Sequence, residues 1–298
     1  MKAAFVNGLA RLALGLVWLL HWLPLPLLAR LGQGLGLLLH AFGRARREVA
    51  RKNLALCFPE KTEVERQRLV REHFMWTGRS LLERGVLWHA SAERLKRLIH
   101  VEGDVHLAER SDQAVMWLAP HFVGLEVAGT ATQLFQKRMG CDIYTAQSNP
   151  VMDAAFHKGR ARFGLALLFN RQQGVIPVVR AIKKGAAFFN ASDMDFGLRD
   201  AAFVPFFGQP AATLLAPSRM ARSLGMIVQP LIAEMLPGGQ GYRVTFMPAW
   251  AHWPTDSPEA DATEMNRYIE AQIRTMPAQY FWVHKRFKTR PAGSAPVY

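Results

Sequence analysis

Cysteine is almost absent. Cys57 and Cys141 are the two in 298 residues, too few for a disulfide framework and in keeping with a reducing compartment. Acidic residues are the scarcer charge: 23 Asp and Glu stand against 37 Lys and Arg, a formal net charge of +14. No Walker loop and no GxGxxG follows a strand-like run, so the usual phosphate cradle of nucleotide chemistry is missing. Zinc-finger spacing and RNP-like aromatic strands are missing as well, which removes the common nucleic-acid modules. Neither an internal repeat nor a low-complexity linker breaks the chain, and its length suits one large domain. What is abundant is apolar surface: half of the residues are hydrophobic, which excludes disorder as the main state. A greasy, basic chain without nucleic-acid modules points to an anionic membrane and anionic ligands.

The apolar excess is concentrated near the start. Residues 12–29, LALGLVWLLHWLPLPLLA, carry no formal charge and approach the lower length limit for crossing a hydrocarbon core of roughly 30 Å. Pro24 and Pro26 interrupt that run, and Trp18 and Trp22 suit a membrane–water boundary. A second apolar patch at 31–43 precedes a basic run of Arg44, Arg46, Arg47, Arg51 and Lys52. Pro24, Pro26 and Arg30 fit a cleaved signal poorly. The segment reads as a membrane anchor, either crossing once or lying in the interface, with the bulk of the chain on the cytoplasmic side. Residues 1–43 form this membrane-associated segment and 44–298 the remaining domain.

Residues 44–98 read as helical, with Thr62 and Glu65 at capping-box spacing. Beyond them, β-like runs at 114–119, 142–146, 186–191 and 226–235 alternate with helical stretches near 124–137, 150–163, 176–184 and 211–224. This alternation predicts an α/β fold, a central mostly parallel sheet with flanking helices, behind the N-terminal helical anchor. The glycines after Pro237 lead into YRVTFM as a hairpin, and a helix over 258–275 precedes a basic tail.

Three constellations carry chemistry. AVMWLAPHFVGLEVAG places His121 at a strand end and Glu126 in the following helix. An imidazole there takes a proton from a hydroxyl when a carboxylate holds its other nitrogen, and Glu126 is the expected partner. NASDMDFGLRDAAFVPFFG places Asp193, Asp195 and Gly197 at another strand end. Its acids suit a divalent metal, a sugar hydroxyl or a cationic side chain. The apolar FVPFFG at 203–208 suits either an alkyl slot or plain core packing. Arg160 and Arg162, with the tail HKRFKTR at 284–290, suit phosphate recognition or a solvated face.

Taken together and in order, RKNLALCFPE (51–60), LLERGVLW (81–88), APHFVGLE (119–126), GRARFG (159–164), DMDFG (193–197), FVPFFG (203–208) and QYFWVHKRFKTRP (279–291) make the chain resemble the lipid A secondary acyltransferases. These are the lauroyl/myristoyl-type enzymes of late lipid A biosynthesis in Gram-negative bacteria. They sit within a wider glycerolipid acyltransferase group marked by H-x4-D, for which Glu126 stands here. The resemblance implies an acyl-carrier-protein thioester as donor and a phosphorylated, partly acylated glucosamine disaccharide, the lipid A precursor, as acceptor. It implies no cofactor, no metal and no nucleic acid, and a place at the inner membrane among anionic lipids. By the same resemblance His121 and Glu126 are catalytic, and Arg160, Arg162, Asp193, Asp195 and Gly197 bind substrate. Alternatives are an acyltransferase for another phospholipid or glycolipid, a thioesterase, and a non-catalytic lipid-binding protein.

Overall fold

The computed structural model describes residues 2–298. The apolar N-terminus forms two helices, α1 (Lys2–Leu20) and α2 (Leu25–Phe42). Pro24 caps α2 and Pro26 lies in its first turn, where a missing N–H costs nothing. The prolines therefore start a helix, and the expected single apolar segment over 12–29 is divided at residues 21–24. Helices α3 (Arg44–Cys57), α4 (Glu63–His89) and α5 (Ala92–Leu98) follow. The expected capping box opens α4: Glu65 N–H donates to Thr62 Oγ1 at 3.3 Å, and Thr62 N–H to Glu65 Oε2 at 2.7 Å.

The rest alternates as β1 (Ile99–Gly103), α6 (Leu107–Arg110), β2 (Val115–Leu118), α7 (Leu125–Leu134), β3 (Gly140–Tyr144), α8 (Pro150–Arg160), β4 (Ala166–Asn170), α9 (Ile176–Lys183) and β5 (Ala187–Asn190). After a hairpin of β6 (Ala201–Phe206) and β7 (Gln209–Leu214) come α10 (Ala216–Ser223), β8 (Ile227–Met235), β9 (Tyr242–Phe246) and α11 (Pro258–Thr275). Seven strands form one sheet in the order β1-β9-β8-β2-β5-β3-β4. Its pairings are parallel except β8 with β9, the expected hairpin. β1, β4 and β6 lie outside the expected strands, and residues 211–214, the start of the helix expected over 211–224, belong to β7. That run is half apolar and ambiguous in period, and its pairing with β6 decides it.

β2 lies at the sheet centre and is buried on both faces. Met116 and Leu118 point into one core layer with Phe188, Val228 and Trp282, and Val115 and Trp117 into the other with Val127, Ala128 and Leu231. Helix α2 closes the second layer by docking on α4, where glycines meet backbone to backbone. A Cβ on Gly36 would lie 2.2 Å from Phe74 O, and one on Gly78 would lie 2.2 Å from Gly32 O.

Candidate active site

Parallel register brings the reactive groups together. Leu118 of β2 pairs with Asn190 of β5, and both chains leave the sheet at the same edge. His121 and Asp193 each lie three residues beyond that pair, at matching height. His121 Nδ1 is 2.6 Å from Asp193 Oδ1, and the His121 backbone N–H also donates to that carboxylate, at 3.1 Å to Oδ2. An ionised carboxylate only accepts, so Nδ1 carries the proton, and in the neutral ring Nε2 is the nitrogen with the lone pair. Asp193 is 1% exposed. Burial raises its pKa, but the His121 side chain and the hydrogen bonds from His121 and Tyr280 outweigh that and hold it at about 2. The C-terminal segment clamps the loop: Phe281 N–H donates to His121 O at 2.9 Å, and Val123 N–H to Gln279 O at 2.8 Å.

Glu126 has a different partner from the one expected. Its carboxylate is gripped by Arg160, through Nε at 3.1 Å and Nη2 at 2.5 Å, with Arg84 Nη2 at 3.9 Å. Burial would raise its pKa, yet these two guanidinium groups bring it down to about 2. The carboxylate that orients His121 is thus Asp193, and Glu126 organises Arg160. Among the described residues Arg160 Nη1 makes no hydrogen bond to protein, leaving one arm of the guanidinium for a ligand.

His121, Glu126 and Arg160 line one cavity of about 530 Å³, inside the ordinary range of roughly 300–1,000 Å³ for small-molecule sites. Trp88, Phe156, Leu165 and Leu168 supply apolar wall. Asp142, on β3, lines it too, its pKa pushed up to about 6 by burial despite the nearby Arg160. Cys141 also reaches the cavity, but burial pushes its thiol up to about 12, which keeps it from acting as a thiolate.

The other expected ligands are used structurally. Arg162 donates to Leu87 O at 2.8 Å and Ala90 O at 2.5 Å, tying α8 to the end of α4. Asp195 accepts from Thr289 N–H at 2.6 Å, Thr289 Oγ1 at 2.8 Å and Gly197 N–H at 2.9 Å. Its own N–H donates to His284 Nε2 at 3.0 Å, which requires a neutral ring, and burial lowers that imidazole to about 4. Asp195 and Gly197 therefore fasten the Asp193 loop to the C-terminal tail. Arg286 in that tail is 2% exposed and donates to Ala212 O and Thr213 Oγ1. Phe206 and Phe207 of FVPFFG pack in the core against Tyr280, Phe287 and Phe58, away from the cavity. The residues that sequence reasoning left without a role are Arg84, Asp142 and Tyr280. An acid inside an otherwise apolar strand was the available signal for Asp142.

Residues 4–289 match the family model of bacterial lipid A biosynthesis acyltransferases. The chain is 35% identical over 285 residues to the lipid A biosynthesis lauroyltransferase of Escherichia coli K12, covering 95% of this chain and 92% of that protein. It is 35% identical over 289 residues to the palmitoleoyltransferase of the same strain, covering 96% and 92%. A crystal structure of a 1-acyl-sn-glycerophosphate acyltransferase from Thermotoga maritima aligns with a TM-score of 0.39 and 12% identity, over 78% of this chain and 97% of that one.

Proposed function

The chain belongs to the bacterial lipid A biosynthesis acyltransferases, enzymes of late lipid A acylation, and on that premise we propose the reaction and the residues that perform it. A fatty acyl chain passes from an acyl-carrier-protein thioester to the hydroxyl of a 3-hydroxyacyl chain on the lipid A disaccharide precursor. His121 Nε2 takes the hydroxyl proton while Asp193 holds Nδ1–H and stabilises the imidazolium that forms. The alkoxide attacks the thioester carbonyl, and the C–S bond breaks as the C–O ester bond is completed. The imidazolium proton then goes to the departing thiolate. The acceptor supplies its own nucleophile, so no acyl-enzyme is required. Arg160, steadied by Glu126, directs its free Nη1 at the oxyanion or at an acceptor phosphate. The observation that carries this reading is the buried Asp193 carboxylate on His121, at the wall of an apolar cavity.

Residues 1–43 form the membrane-associated part and 44–298 the acyltransferase domain. Phe5, Leu9, Leu12, Leu16 and Leu19 make an exposed stripe at helical spacing along α1, and Leu27, Leu31, Leu38 and Phe42 another along α2. By length and composition α2 is apolar enough to cross a membrane. Its glycine face is nevertheless held by α4, which favours a helix lying in the interface, at the cytoplasmic leaflet of the inner membrane, over one that crosses it. Anionic lipids there meet the exposed Arg44 and Arg46.

The test is purified protein with acyl carrier protein loaded with a fatty acid, offered the lipid A precursor and a lysophospholipid in competition. Mass spectrometry should find one added acyl chain on the disaccharide. Preferential acylation of the lysophospholipid would overturn the acceptor assignment.

A further inference from the structure

We propose that Gly129 sets the length of the acyl chain this protein transfers, by leaving open the stretch of cavity that lies along α7; this rests on the acyltransferase reading above. Glu126 and Gly129 are one helical turn apart on α7, and Gln133 follows one turn later. All three line the cavity that holds His121. At about 1.5 Å per residue, the cavity follows α7 for about 10 Å beyond Glu126.

Three glycines line it among the described residues, and they differ in what a side chain would meet. A Cβ on Gly159 would lie 2.5 Å from the Trp88 ring. On Gly140 it would touch Leu165 O at 3.4 Å and Trp117 at 3.5 Å. On Gly129 it would meet nothing within 4 Å. Gly159 is glycine because neighbouring atoms fill the place of a side chain. At Gly129 the place is empty, and it belongs to the cavity. Glycine inside a helix is unfavourable relative to alanine, and no turn or close approach at 129 requires it. The space it leaves accounts for it.

The occupant is the donor chain. On the proposed reaction the acceptor is a partly acylated lipid, whose own chains a bilayer can hold. The donor arrives on a soluble carrier, and its one chain needs an apolar compartment reached through the reacting centre. Trp88, Phe156, Leu165 and Leu168 provide that wall. The related proteins named for lauroyl and palmitoleoyl transfer share the family but differ in chain, as expected if the choice turns on pocket dimensions within a common site.

The experiment measures kcat/KM for carrier-protein donors of 10 to 16 carbons, with the wild type, Gly129→Ala and Gly129→Leu. A displaced methylene is worth about tenfold or more in discrimination. Gly129→Ala should shift the optimum toward shorter donors. Gly129→Leu should lower the ratio of the longest accepted donor to a short one by about 100-fold or more. Gly129→Ala should melt at or above the wild-type temperature, so its altered profile cannot come from loss of fold. An unchanged donor profile in Gly129→Ala and in any folded Gly129→Leu overturns the proposal. A change confined to the acceptor KM also overturns it, because it would place an acceptor chain along α7. A wild type that transfers no acyl chain overturns the acyltransferase reading itself.

Discussion

The His121 imidazole lines the cavity with Nδ1 committed to Asp193, which leaves Nε2 as the nitrogen for the acceptor hydroxyl. A second ion pair, Glu126 with Arg160, sits beside it and shares the cavity. Removing one partner of such a pair leaves a buried charge exposed to nothing, which is costlier than removing both. Glu126→Gln and Arg160→Gln should each lower transfer by about 100-fold or more, the size expected for loss of one transition-state donor. The double variant should be little worse than either single one. Additive losses in a double-mutant cycle would show that the two residues act separately. His121 and Glu126 were legible as a motif because they lie close in sequence, yet their spacing suggested a partnership they do not have. The true partner of His121 lies 72 positions away and becomes its neighbour only through the β2–β5 register. Arg162 and Asp195 were read as ligands by their charge, which carries no information about the backbone groups they hold.

At the scale of elements, periodicity served well where a helix or strand buries one face. The capping box of α4, the hairpin of β8 and β9 and the helix α11 all lie where local chemistry puts them. β6 and β7 were hidden because FVPFF and the run after Gly208 acquire their meaning from each other and from Tyr280 and Phe287 behind them. The N-terminal helices show the same limit. Composition gave an apolar segment, whereas the division into α1 and α2 depends on Pro24 as a cap, and the docking of α2 depends on glycines that face α4. The exposed stripe of α1 remains free of protein partners, and burying it in lipid is favourable at about 25 cal/mol per Å². Leu12→Asp with Leu16→Asp should release the protein from anionic vesicles in flotation while leaving its thermal midpoint unchanged, because both side chains are exposed. Undiminished flotation of that variant would show that α1 does not hold the protein to the membrane.

Across the whole molecule, buried titrating groups set an acid limit in two stages. His73 is fully buried and its pKa is lowered by burial from 6.5 to about 4; His284 is likewise lowered to about 4. The unfolded chain therefore takes up these protons first, and stability is lost as pH falls from about 6.5 to about 4. For His73 the displacement corresponds to about 3 kcal/mol. Asp193 and Glu126, both held at about 2, add a second loss as pH falls from the ordinary carboxylate range toward 2. His73→Asn should roughly halve the first stage in thermal melts at several pH values, the His284 share remaining, and leave the second in place; a melt profile parallel to the wild type would refute this origin. On the proposed reaction, the positive charge and apolar surface would serve one working environment, a basic domain on an anionic leaflet that receives an acidic carrier. The central claim is that a His121–Asp193 unit activates the acceptor hydroxyl. Its most direct test is single-turnover acyl transfer from carrier protein to the lipid A precursor by wild type, His121→Ala and Asp193→Asn at about pH 7.5. The account predicts losses of about 100- to 10,000-fold in both variants, with donor binding retained and a cooperative melt still present, lowered in Asp193→Asn by loss of the carboxylate that holds His121. Transfer at the wild-type rate in either folded variant would contradict it.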